Sequence, residues 1–203
     1  MPRMILLFVK YPEPGRVKTR LAAKVGAAEA AQIYQKLVAA VCKSLPKSAM
    51  TVVCYDPPER RAEIESWLAP QLPATAQYHP QVPGDLGARL VEAFAHAFEL
   101  GAEQVAVIGS DCIELTAAIF AETWRALEET DAAIGPSEDG GYYLLALKQP
   151  EPRLFSEIPW STDEVLGKTL RAAKACGLRL HLLPILRDVD DENGWNAVRA
   201  RLE

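Results

Sequence analysis

Residues 4–22, "MILLFVKYPEPGRVKTRLA", run from six apolar residues into a cluster of cations, with Pro12, Pro14 and Gly15 bending the chain between them. An apolar run of strand length, stopped by proline and glycine, reads as a β-strand. The cations beyond it read as a loop and a basic helix start. Apolar runs of the same kind recur as "MTVVCY", "ATAQYH", "VAVIG", "DAAIG", "YYLLAL" and "LRLHLLPI". Most are separated by segments of helical spacing: "AAEAAQIYQKLVAAVCKSL", "PPERRAEIESWLA", "LGARLVEAFAHAFELG", "TAAIFAETWRALEE", "STDEVLGKTLRAAKACG" and the terminal "NGWNAVRARLE". Strands that alternate with crossover helices predict an α/β fold with a layered, mainly parallel sheet. In such sheets ligands sit beyond the carboxyl ends of the strands, so the loops after each strand are where chemistry is expected.

Length and composition narrow the function. The 203 residues suit one domain spanning 1–203, and the prolines of "KQPEPRLFSEIPW" read as an excursion rather than a boundary. A net charge of -5 argues against a general nucleic-acid partner, which would require a basic surplus, so any anion site must be local. No stretch has the length of an integral membrane segment, and the opening apolar run is too short for a secretion signal, which points to a cytoplasmic protein. Cys42, Cys54, Cys112 and Cys176 form no CxxC pair and read as buried free thiols. Of the histidines, His96 falls in a helical pattern and His79 and His181 in strand-like runs, none at metal-site spacing. Trp67, Trp124 and Trp195 are expected in the core.

Five loops hold residues suited to chemistry. After the first strand, Lys10, Arg16, Lys18 and Arg20 crowd a helix start, where the helix dipole disfavours cations unless an anion lies among them. The alternative is a solvated turn. The spacing is not that of a Walker A loop, because the lysine lacks its preceding glycine. In "VAVIGSDCIEL", Asp111 follows a strand directly and either caps the helix that starts near Thr116 or anchors a hard cation such as Mg2+. In "ILRDVDDENGW", strand alternation turns Asp188 and Asp190 to one side, although Asp190 or Asp191 would also make a good cap for the last helix. In "GPSEDGGYYLLAL", Glu138, Asp139, Gly140 and Gly141 form either a plain turn or a place where backbone and carboxylate meet an acceptor hydroxyl, with Asp139 the preferred base. In "QVPGDLGARLVEAF", Gly84, Asp85, Gly87 and Arg89 open a helix that either meets a ligand or is simply capped by Asp85.

Taken in order, "FVKYPEPGRVKTRLA", "GDLGARL", "IGSDCIEL", "GPSEDGGYYLLAL" and "PWSTDEVLGKTL" resemble the DUF2064 family of GT-A-fold proteins, described as glycosyltransferase-like or as candidate nucleotide-diphospho-sugar transferases. The resemblance spans almost the whole chain and extends to small nucleotidyltransferases. It implies a three-layer α/β/α GT-A fold with a mixed, mostly parallel sheet, a nucleotide or nucleotide-sugar donor, a small-molecule acceptor and Mg2+ or Mn2+. By the same resemblance Lys10, Pro14, Gly15, Lys18, Thr19 and Arg20 would hold phosphates. Asp111 and Asp188 or Asp190 would hold the metal, and Gly84, Asp85, Gly87 and Arg89 would line the base or sugar. Glu138, Asp139, Gly140 and Gly141, with Trp160, Ser161 and Thr162, would face the acceptor. The sequence departs from the family pattern twice: Ile113 replaces a proline after the "GSDC" motif, and "DVDDENGW" replaces a pattern like "DVDTPEDL".

Overall fold

The computed structural model describes residues 2–202. Seven strands form one sheet: β1 (Arg3–Lys10), β2 (Met50–Asp56), β3 (Gln77–Pro80), β4 (Gln104–Ile108), β5 (Ala132–Pro136), β6 (Tyr142–Leu147) and β7 (Leu180–Leu182). Their spatial order is β3-β2-β1-β4-β6-β5-β7. β1 pairs in parallel with β2 and β4, β2 with β3, and β5 with β7. Only β6 runs against its neighbours, β4 and β5. Each of the seven apolar runs therefore contains a strand, and the sheet is mixed and mostly parallel as expected.

The helices are α1 (Thr19–Val25), α2 (Ala27–Ser44), α3 (Arg61–Leu68), α4 (Leu86–Glu99), α5 (Ala117–Glu129), α6 (Val165–Ala175) and α7 (Glu192–Val198). Alternation along the strands sends neighbouring side chains to opposite faces, and each face is roofed by a different set of helices. Ile5, Leu7, Val53 and Ile108 pack with Tyr34 and Val38 of α2, Ile64 of α3 and Phe120 and Trp124 of α5. Met4, Leu6, Val52 and Val107 pack on the other face with Leu90 and Phe94 of α4 and Ala173 of α6. Three layers result. Trp124 and Trp195 are buried and Trp67 is packed partly buried against the core, while Cys42, Cys54 and Cys112 are buried and Cys176 is half-buried.

Several boundaries differ from the periodicity. β3 begins only at Gln77, and β7 stops at Leu182, close to Pro184, which has no N–H to donate to the ladder. α6 begins at Val165 rather than near Ser161, because Ser161 takes a left-handed backbone (φ 67°) and residues 161–164 turn instead.

A third, smaller cluster lies outside α2, where Leu21 of α1, Ile33 and Leu37 of α2, and Val189, Trp195 and Val198 pack together. Ile113 is packed against the same cluster. Both departures from the family pattern thus meet in one patch, which braces the segment carrying Asp188 and Asp190. Trp195→Ala should destabilise the fold by about 2 kcal/mol, below the usual cost for a central Trp because the cluster is small. Chemical denaturation would measure this, and an unchanged midpoint would contradict the bracing role.

Candidate functional site

The carboxyl ends of the parallel strands and the amino end of β6 open onto one cleft of about 950 Å³. Backbone bonds fasten three of the loops around it together. The Val189 amide donates to the Asp111 carbonyl (3.2 Å), Glu138 N donates to Leu186 O (3.1 Å) and Leu186 N donates to Pro136 O (3.1 Å). The loop after β7 is thereby locked to both the loop after β4 and the β5–β6 turn. Alternation in this locked segment turns Val189 inward to full burial and leaves Asp188 and Asp190 on the cleft side.

Lys18 ends the first loop in a left-handed conformation (φ 46°) at the head of α1, a strained backbone for a residue with a side chain. Its ammonium reaches Asp111 Oδ2 at 2.6 Å and Asp190 Oδ1 at 2.7 Å, with only 6% of the side chain exposed. Burial opposes the charge, but Asp111 and Asp190 outweigh it and raise the pKa, so the ammonium stays charged throughout the neutral range. Lys18, Asp111 and Asp190, up to 172 positions apart in sequence, meet at one point.

Asp188 lies beside them. Its Oδ1 is buried without a hydrogen-bond partner. Burial first, then the neighbouring charges of Asp111, Asp139 and Asp190, push its carboxyl up to about 8 despite Lys18. Carboxylate oxygens are the donors that Mg2+ or Mn2+ prefers, and an orphaned buried one among like charges is short of a cation. The residue types therefore fit a hard divalent ion. Among the described residues no three His, Cys, Asp or Glu are arranged as a metal cage, and Lys18 Nζ bridges Asp111 and Asp190.

The remaining sequence candidates divide by position. Lys10, Thr19 and Arg20 line the cleft with Lys18, whereas Pro14 and Gly15 form the outer turn of their loop and lie off it. Among the described residues, Lys10, Arg16 and Arg20 have no ion-pair partner, while Arg89 sits 3.4 Å from Asp56. Gly84 and Arg89 line the cleft. Asp85 does not: it caps α4 by accepting from Ala88 N (2.8 Å). Gly87 lies behind the wall, where a Cβ would come within 3.0 Å of Trp160 Nε1.

Asp139 faces the cleft from the β5–β6 turn. Its Oδ1 accepts from Ser137 Oγ (2.5 Å) and Gly141 N (3.0 Å), which fixes the carboxylate and leaves Oδ2 for other partners. Gly141, Trp160, Ser161 and Thr162 line the cleft with it. Glu138 is instead engaged by Arg187 at 2.6 Å, away from the lining. Gly140 also stands back from the cleft and holds two loops together, with φ at 87°, its carbonyl accepting from Leu166 N (2.9 Å), and the space for a Cβ filled by the Asp163 backbone. Gly140→Ala should therefore cost more than about 1 kcal/mol and displace residues 161–163. Thermal unfolding and the Trp160 fluorescence would register it, and an unperturbed variant would contradict this packing.

Two helix starts resolve the capping alternatives. Thr116 Oγ1 accepts from Ile119 N (3.4 Å) and Asp191 Oδ1 from Gly194 N (2.8 Å), so Asp111, Asp188 and Asp190 are not needed as caps. Sequence reading missed other cleft residues. Tyr34 of α2, read only as part of a helical stripe, accepts from Lys10 N (2.9 Å) and lies 3.1 Å from Ser110 Oγ, tying the end of β1 to the residue before Asp111. Gln81 follows β3, where the rule of strand ends would have found it. Its amide donates to Cys54 O (2.8 Å) and its Oε1 accepts from Arg89 Nη1 (3.0 Å).

Residues 38–162 match the family model described as an uncharacterized protein conserved in bacteria (DUF2064). A crystal structure from Desulfovibrio desulfuricans, of a candidate nucleotide-diphospho-sugar transferase, is similar at 35% identity and a TM-score of 0.87, over 94% of this chain and 84% of that one. The 4-diphosphocytidyl-2C-methyl-D-erythritol synthase of Anaerococcus prevotii shares the fold at 10% identity and a TM-score of 0.63, over 99% and 96% of the two chains. A manganese complex of a Mycobacterium tuberculosis protein shares it at 9% identity and a TM-score of 0.60, over 98% of each. No curated protein matches the chain. No helix among the described residues is long and apolar enough to cross a membrane.

Proposed function

The chain belongs to the DUF2064 family, and on that footing we propose that it is a transferase using a nucleotide-activated donor, a nucleotide-diphospho-sugar in the first instance, and a small-molecule acceptor. One observation carries the reading: Lys18 joined to Asp111 and Asp190, with Lys10, Arg16 and Arg20 beside them in the same cleft and unpaired among the described residues. Three such cations and a fixed ammonium suit a diphosphate, whose charge grows as its bond to the transferred group breaks. Preorganised positive charge at that point lowers the barrier.

Asp111, Asp188 and Asp190 would hold Mg2+ or Mn2+, which when bound adds positive charge on the donor's phosphates. Lys18 would hold the leaving oxygens, and Arg16 and Arg20 the outer phosphates. Gln81 and Arg89 would stand at the nucleoside end. Asp139, held by Ser137 and Gly141, would orient the acceptor hydroxyl and take its proton. In glycosyl transfer the acceptor oxygen bonds to the sugar carbon, the bond from that carbon to the phosphate oxygen breaks, and the nucleoside diphosphate leaves with the electron pair.

Incubating the protein with labelled nucleotide sugars and with nucleoside triphosphates, each with Mg2+ or Mn2+ and a set of hydroxyl compounds, tests the proposal. Release of nucleoside diphosphate supports it. Release of pyrophosphate would replace glycosyl by nucleotidyl transfer at the same site. Nucleotide binding without turnover of either donor class would mark a noncatalytic nucleotide-binding module.

A further inference from the structure

The charge of the cleft is divided along the chain. Among the described residues, all its lining cations, Lys10, Arg16, Lys18, Arg20 and Arg89, precede residue 90. All its lining carboxylates, Asp111, Asp139, Asp163, Asp188 and Asp190, follow residue 110. In space the division holds for two of them: Asp111 and Asp190 meet Lys18, whereas Asp139 of the β5–β6 turn and Asp163 before α6 come from segments that contribute no cation to the lining.

Positive side chains near that side do not line the cleft: Lys168, in the first turn of α6, is exposed and stands outside it. Arg187 is drawn off by Glu138 at 2.6 Å. The amino end of α6 points here, and a helix start would ordinarily welcome an anion. Three of the amides at its start are spent within the protein, however: Leu166 N donates to Gly140 O (2.9 Å), Val165 N to Thr162 O (3.5 Å) and Glu164 N to Thr162 Oγ1 (3.3 Å). Asp163 and Glu164 add negative charge to the same turn. A ligand there is left with the carboxylates of Asp139 and Asp163, the Ser161 hydroxyl and the flank of Trp160.

Resting on the donor reading above, we infer that the acceptor carries no phosphate or carboxylate: it is a hydroxyl compound held by hydrogen bonds to acidic side chains and by an aromatic wall. A phosphorylated acceptor would bring a dianion against Asp139 and Asp163 with no opposing cation in the lining on that side. The two aspartates thus serve selection by repulsion as well as positioning.

Calorimetry in two steps tests this. The wild-type protein is first saturated with Mg2+ and pyrophosphate, which fills the donor side, and is then titrated with inorganic phosphate. No second binding event is expected. In the Asp139→Asn/Asp163→Asn double variant, which keeps one acceptor oxygen on each side chain and removes both charges, phosphate should bind at least tenfold tighter than to wild type. Phosphate binding to the loaded wild type as tightly as to the variant would overturn the inference, and so would equal exclusion by both. Failure of pyrophosphate to bind in the first step is separately visible, and it would sink the donor reading and this inference with it.

Discussion

Lys18→Met is expected to lower turnover by about a thousandfold, as loss of a group that stabilises developing charge does, and to weaken the fold at the same time. The methionine keeps the buried stem and removes the ammonium, leaving Asp111 and Asp190 facing each other beside Asp188. Breaking a fully buried ion pair costs ~3–5 kcal/mol; because Asp190 is 41% exposed and partly solvated, about 3 kcal/mol is expected. A divalent cation should repair part of that loss. If Asp111 and Asp190 hold Mn2+ as proposed, Mn2+ and Lys18 would compete for the same oxygens in the nucleotide-free protein, so Mn2+ should raise the unfolding temperature of the variant more than that of wild type, whatever the loss of turnover. A variant as stable as wild type, or one that Mn2+ does not stabilise preferentially, would show that the carboxylates are not held by Lys18.

Asp188→Asn should move stability the opposite way while also impairing activity. In the native state burial and neighbouring carboxylates keep the Asp188 proton on until about pH 8, whereas the unfolded chain releases it near 3.8. Between those values the native state binds more protons than the unfolded state, so Asp188 makes the protein less stable as pH rises. Asparagine carries no such titration. In metal-free buffer the variant's advantage should be absent near pH 4, grow from pH 4 to pH 8 and level off above, on the order of a few kcal/mol. Cation-dependent activity should fall by about a hundredfold with loss of one metal-directed carboxylate. Denaturation at several pH values would check the stability, and a variant less stable than wild type at pH 8 would mean that Asp188 is an internal structural partner.

Much of this arrangement is legible in the sequence. Burial of the apolar runs dictates the strands, and the rule that parallel strands end on one side puts Lys18, Asp111 and Asp190 in one cleft. Strand alternation singles out Asp188 and Asp190 around Val189. The rest depends on partners far away in sequence. Nothing near Glu138 says that Arg187 will engage it, and nothing near Gly140 announces the Asp163 backbone that leaves no space for a Cβ. Whether Asp85 meets a ligand or only caps its helix, and whether Asp190 or Asp191 caps the last one, is open until the helix starts are in view. Tyr34 carries no signal at all, since a tyrosine in an apolar helical stripe looks like core and its hydroxyl function depends on Lys10 and Ser110. The seat of Lys18 between two carboxylates is hidden for the same reason, and it changes the expected metal chemistry most.

On the proposed function, early cations and late carboxylates form a single site for a metal-bound diphosphate. Its most direct test is a calorimetric titration of UDP, GDP and CDP into wild type and Asp111→Ala, each with and without Mn2+. At least one diphosphate should bind wild type, more tightly with Mn2+, and Asp111→Ala should abolish that Mn2+ dependence. Absence of binding by all three, or binding indifferent to both Mn2+ and the substitution, would contradict it.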